Sequence, residues 1–178
     1  MKTKRLFLIF TLLFSSFSLP IIAQEKGFPI PTGNSKQLFY LQRTPNKNTI
    51  VYELNYKNGE IDSEEPVHGF WIRYQEEGQR EDLNYIQRKF AYGLKTKKIA
   101  ENQYEISFVS YKKYKMFLRM GADKKFHLYT TINQLTAELT SIYLKINGGA
   151  FWTPNIEYVD IYGVDPTNRS VMKERMKI

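Results

Sequence analysis

The chain has 178 residues, a formal net charge of +8, 13 Tyr, 12 Phe and 2 Trp, and no cysteine. The missing thiols exclude disulfides, a lipid-modified N-terminal cysteine and thiolate metal sites. The positive charge is mild and spread along the chain, unlike the dense cationic stripe of a nucleic-acid binder, so no nucleic-acid partner is expected.

The first 23 residues have the three parts of an export signal. Lys2, Lys4 and Arg5 precede an apolar run from Leu6 to Ile22, and Ala23 closes a small-residue cleavage site. Ser15, Ser16, Ser18 and Pro20 interrupt that run, whereas a spanning helix needs about 20 predominantly apolar residues. The expectation is a signal peptide over 1–23 and a mature chain starting at Gln24, exported to the periplasm or beyond. Without the signal, 23 basic residues face 18 acidic ones, a balance of +5. No later stretch reads as a transmembrane segment. Residues 24–36, with Gly27, Pro29, Pro31 and Gly33, read as a flexible leader.

From residue 37 the pattern changes. Leu38 to Arg43 reads as a strand, and Thr44 to Asn48 as a turn. Ile50, Tyr52, Leu54 and Tyr56 then alternate with Val51, Glu53 and Asn55, the period of a half-buried strand. Asn58-Gly59 is a hairpin turn signal, and an acidic loop leads to a strand over Val67 to Gln75. Leu83, Ile86, Phe90 and Leu94 recur at three- and four-residue spacing, which predicts one helix over about Asp82 to Tyr92 with Gly93 ending it. In that helix Leu83, Ile86 and Phe90 face the sheet while Arg88 and Lys89 face solvent. Alternation resumes through Tyr104–Phe108, Met116–Met120, Phe126–Ile132, Leu135–Ile146 with a bend near Ser141, and Ile156–Tyr162. Residues 165–178 read as a loose polar tail. The fold class is therefore mainly β, an antiparallel β-sandwich or flattened barrel with one α-helix, in a single domain over 37–164.

Motifs for catalysis are sparse. His68 and His127 are isolated, and two histidines without cysteine cannot assemble an ordinary zinc site, so neither metal nor cofactor is expected. A nucleophile elbow is absent. Glu53, Glu105, Glu138, Glu157 and Asp160 lie within predicted strands, where two could face one cleft as a carboxylate pair. The helix gives the densest mixture of Arg, Lys and Tyr. Arg88 and Tyr92 lie four apart and share a face, as do Tyr85 and Lys89. A guanidinium beside a phenol can grip a carboxylate or phosphate; the plainer reading is an arginine stem packed beside a tyrosine. Lys112, Lys113 and Lys115, with Lys95, Lys97 and Lys98, can form a positive rim or two unrelated hairpin tips. Trp71 and Trp152 can stack on a ligand ring or simply fill the core. Arg88, Tyr92, Lys89, Trp71, Trp152 and His68 are the candidate ligand-binding residues, and an anionic lipid or glycan is the partner class that they fit.

Several stretches also carry a family resemblance: Gln37–Arg43, Glu65–His68 with Trp71-Ile72, Tyr85–Gly93, and Asn147–Gly149 with Phe151-Trp152. On these the chain resembles domain of unknown function 4833, a family of exported bacterial proteins. The resemblance implies one domain and an exported location, and brings no activity or site residue. Two functions fit the whole reading. One is a non-catalytic, envelope-associated or secreted ligand-binding module. The other is a hydrolase acting on envelope polymers through strand carboxylates. A pocket of aromatics rimmed by cations favours the first, and two facing carboxylates the second.

Overall fold

The computed structural model describes residues 27–150 and 153–177. Its chain order is β1 (Gln37–Arg43), β2 (Thr49–Leu54), β3 (Tyr56–Lys57), β4 (Glu60–Ile61), β5 (Val67–Ile72), β6 (Arg80–Asp82) and α1 (Tyr85–Phe90). There follow β7 (Leu94–Ala100), β8 (Gln103–Phe108), β9 (Met116–Met120), β10 (Phe126–Ile132), β11 (Leu135–Ala150), β12 (Thr153–Val164) and β13 (Val171–Lys177). The protein is mainly β with a single helix among the described residues, as the alternation predicts. No helix among them is long and apolar enough to cross a membrane.

The strands form one large curled sheet, a half-barrel, plus the small β3–β4 hairpin turned by Asn58-Gly59. β11 is its spine. One edge takes β10 over Glu138–Leu135 and, further along, β1 over Ser141–Leu144; the other edge takes β12, which carries β13. The β1–β11 pairing is parallel, in contrast to the antiparallel ladder expected throughout. A register shift between Leu139 and Ser141 marks a bulge at the predicted bend. One extra residue reverses the inside–outside alternation. Ala137 and Leu139 before it, and Ile142 after it, therefore all reach the same core. The spine can thus serve two wings that curl toward each other.

The wings meet through aromatic rings. Phe39 of β1 stacks on Tyr52 of β2 at 4.3 Å, and Phe108 of β8 meets both rings edge-on at 6.3 and 6.0 Å. Ile50, Tyr104, Ile106, Met116, Leu118, Leu128 and Ile161 complete the interior.

Two expectations about the helix change. Arg80–Asp82 pairs with β5 as a strand, so the helix is only Tyr85–Phe90. It starts at Asn84, whose side chain accepts from the Gln87 amide while Gln87 accepts from the Asn84 amide, a reciprocal capping box. Leu83 is buried at 3% exposure, but Ile86 and Phe90 are 46% and 50% exposed, so the predicted apolar face is not packed on the sheet. One and a half turns are too short to lay such a stripe across a sheet. Gly93 is required by closeness: a Cβ there would lie 1.8 Å from the Arg88 carbonyl oxygen.

The ends are also more engaged than their composition suggests. Phe28, in the predicted leader, is buried on the outer sheet face against Tyr143 and Tyr162, and Gln42 donates to the Pro29 carbonyl at 2.7 Å. The tail supplies β13, paired along its full length with β12. Its Arg175 and Lys173 clamp Asp160 at 2.6 and 2.8 Å, while Met172 and Met176 pack on the core.

Candidate ligand-binding site

A cavity of about 350 Å³ opens at one end of the half-barrel. The sequence builds it simply. Strand alternation sends Leu41 of β1, Ile142, Leu144 and Ile146 of β11, and Val159 and Ile161 of β12 to its wall. Phe90, Ala91 and Tyr92 close one side at the end of α1, and Ser110, Tyr111 and Tyr114 close another in the loop after β8. Two bonds tie helix end to loop: Ser110 Oγ donates to the Ala91 carbonyl at 2.7 Å, and the Val109 amide donates to the Gly93 carbonyl at 2.9 Å. The volume is at the small end of ligand pockets, about 300–1,000 Å³.

Arg43 is the only charged residue among the described residues lining this cavity. It follows Phe39 and Leu41 at period two, so β1 directs its side chain inward. The guanidinium sits 5.8 Å from the ring centres of both Trp71 and Tyr92. Its Nε is shielded from solvent and lacks a hydrogen-bond partner among the described residues. The Tyr114 hydroxyl is shielded as well, but it has Thr130 as a hydrogen-bonding neighbour. The Thr130 hydroxyl itself donates to the Lys115 carbonyl at 3.2 Å. Burial pushes the Tyr114 phenol up to about 12, so it stays a neutral donor over the ordinary pH range. Burial also raises Tyr92, and the Arg43 charge and hydrogen bond partly oppose it. A buried donor without a partner is costly. Arg43 Nε is therefore a donor able to meet an acceptor on a bound molecule.

The predicted site residues divide. Tyr92 stands between this cavity and a second, more polar one of about 280 Å³, which Arg88 lines with Glu64, Glu65 and Thr96. Arg88 and Tyr92 thus share that second cavity. The Tyr92 carbonyl accepts from Tyr52 at 2.8 Å, which fixes the wall to the core. Lys89 is exposed and donates to the Tyr85 hydroxyl at 2.8 Å. Trp71 is core: buried, edge-on to Tyr92 at 5.3 Å, with its indole donating to Gln87 at 3.2 Å. It holds the helix and backs Arg43 rather than stacking on a ligand. His68 points away from both cavities and pairs with Asp82 at 3.1 Å and Glu65 at 3.5 Å. Trp152 lies outside the described residues. No group of three or more His, Asp or Glu is placed to hold a metal ion among the described residues.

Four of the strand carboxylates lie apart, each engaged by a cation. Glu53 meets Arg80 at 2.8 Å, Glu105 meets Lys115 at 2.6 Å, and Glu138 meets His127 at 2.6 Å as well as Arg169. Asp160 is held by Arg175 and Lys173; Glu157 is exposed. Burial alone would raise Asp160, but the hydrogen bonds and charges of Arg175 and Lys173 outweigh it and hold the carboxyl below its usual range.

The sequence profile described as Domain of unknown function (DUF4833) matches residues 39–175. The chain belongs to that family. The match takes in β1 through most of β13, so the C-terminal strand is part of the family's domain. No curated protein and no solved structure matches the chain.

Proposed function

We propose that this domain binds, without transforming, a small amphiphile: an apolar body in the half-barrel cavity and one anionic group at Arg43. The observation that carries the reading is the single cation in an otherwise uncharged, largely aliphatic and aromatic cavity, with a buried donor left without a partner. A charge-assisted hydrogen bond is about twice as strong as a neutral one, and a guanidinium offers a fixed fork to a carboxylate or phosphate. The aliphatic wall of Leu41, Ile142, Leu144, Val159 and Ile161 favours an acyl chain over a glycan, whose hydroxyls would find few partners there. Hydrolysis through strand carboxylates draws no comparable support, because the four engaged acids are separated and neutralised by cations. An exported, envelope-associated setting, with the first 23 residues removed, accords with this reading.

Titration calorimetry tests it. Decanoate should bind, about tenfold more tightly than decanol, in line with one charge-assisted contact. Oligomers of glucuronate should give no heat. In Arg43→Met the preference for decanoate over decanol should vanish while decanol binding persists. Absence of decanoate binding, or binding of the acidic sugar in its place, would overturn the reading.

A further inference from the structure

Large side chains that stay exposed lie around the cavity mouth. Tyr85, Ile86 and Phe90 of α1 are 64%, 46% and 50% exposed, and Tyr111 across the mouth is 43% exposed. Even with Phe90 set aside, Tyr85, Ile86 and Tyr111 near one opening are an unusual concentration, since exposed apolar residues are usually scattered singly. The helix itself buries no residue, so core packing does not explain why it presents such side chains.

Charge follows the same rim. Residues 83–100 include Arg88, Lys89, Lys95, Lys97 and Lys98 and no acid, and residues 109–115 include Lys112, Lys113 and Lys115 and no acid. The hydrogen bond between Ser110 and Ala91 brings the two segments together. Lys89 Nζ sits 5.2 Å from the Tyr85 ring centre and 5.3 Å from that of Phe90, so charge and apolar surface share one face. Carboxylates offset part of this charge: Glu105 is held by Lys115 and lies opposite Lys97, and Asp82, Glu64 and Glu65 lie near Arg88, while Lys89, Lys112 and Lys113 are exposed.

We propose that this rim, α1 with the 109–115 loop, docks on the surface of an anionic lipid bilayer and sets the cavity mouth against it. Aromatic and aliphatic side chains enter the headgroup boundary while lysines meet the anionic headgroups, the combination that holds interfacial segments to membranes. A soluble polyanion would use the lysines and ignore the apolar residues, so the exposed Ile86 and Tyr85 favour the bilayer. The proposal rests on the cavity reading for its purpose, the exchange of an acyl ligand with the membrane, but the surface is argued from its own residues.

The test is co-sedimentation of the full chain with vesicles of phosphatidylglycerol or of phosphatidylcholine. Three variants are compared: Ile86→Ser, Lys112→Glu/Lys113→Glu, and Lys57→Glu/Lys124→Glu as a charge-matched control away from the rim. The protein should partition to the anionic vesicles only. The rim lysine pair should lower that partition roughly twentyfold or more, because each lysine near an anionic surface contributes about fivefold. Ile86→Ser should lower it several-fold and the control less than threefold. Decanoate titrations on the same variants should be unchanged, as none of these residues lines the cavity. Vesicle binding with these dependences but no decanoate binding would sink the cavity reading alone. Decanoate binding without vesicle binding, equal loss in rim and control pairs, or full binding by Ile86→Ser would overturn the docking proposal. The last result would point to a soluble polyanion.

Discussion

The outer face of β11–β13 and the cavity mouth treat buried polar groups in opposite ways. On the outer face Asp160 is fully buried, yet both of its oxygens are held, by Arg175 at 2.6 and 2.7 Å and by Lys173 at 2.8 Å. At the mouth, Arg43 Nε is shielded and left without a partner among the described residues. The first arrangement secures an edge strand built from a charged sequence. The second leaves a donor available to a bound molecule.

That contrast breaks most visibly at Asp160. Replacing it by Asn should destabilise the domain by about 2–3 kcal/mol in urea titration. This is below the roughly 3–5 kcal/mol for breaking a fully buried pair, because the two cations are half exposed and can turn to water. A loss under about 0.5 kcal/mol would mean the clamp does not hold β13. The same pair sets an acid limit. Its folded carboxyl titrates below the ordinary value, so its stabilisation is present above about pH 4 and is lost as pH falls through the folded value. Unfolding midpoints measured between pH 6 and pH 2 should decline steeply at the acid end for the parent and less steeply for Asp160→Asn. Parallel profiles would contradict the assignment.

The cavity should respond more weakly. Tyr114→Phe removes a buried hydroxyl that meets Thr130, so the stability of the empty protein should change by no more than about 1 kcal/mol. Decanoate should bind it less tightly if the phenol meets the ligand. A destabilisation of about 2 kcal/mol or more would mean that the hydroxyl serves the fold rather than a ligand. The smallest effect is expected at Arg88, exposed on the helix. Arg88→Ala should change stability by less than about 0.5 kcal/mol and decanoate affinity by less than twofold. A larger change in affinity would move the anion site from Arg43 to the second cavity.

Much of the fold is legible in the sequence where one strand face is buried. The run Ile50, Tyr52, Leu54 alternates cleanly, and Asn58-Gly59 turns the hairpin that its conformational freedom allows, with φ of 55° and 85°. The parallel β1–β11 pairing is not legible, because it joins residues about a hundred positions apart and no local pattern encodes it. β13 is hidden by composition. Its alternation of Met172, Glu174 and Met176 with Lys173 and Arg175 is there to be read, but charged residues have weak strand preference and resemble a solvated tail. The helix fails for a related reason. Helical spacing at Leu83, Ile86 and Phe90 suggests a packed stripe, whereas Leu83 alone reaches the core and the other two reach the rim. At the site, the arginine that matters lies in the strand already identified by its alternation. An arginine two residues beyond Phe39 and Leu41, on the same face, must point toward the core, and that signal singles out Arg43 over the more conspicuous Arg88. Trp71 and His68 could not be placed from sequence, since the depth of a tryptophan and the side of a strand edge depend on neighbours distant in the chain.

The most direct measurement is NMR of the domain with decanoate, recording contacts between ligand methylenes and protein methyl groups. The account predicts intermolecular contacts to Ile142, Ile161 and Met176, with the Arg43 Nε–H resonance shifted by the carboxylate and both lost together in competition with a longer fatty acid. Contacts confined to the exposed rim at Ile86 and Tyr111, with Arg43 unmoved, would contradict it.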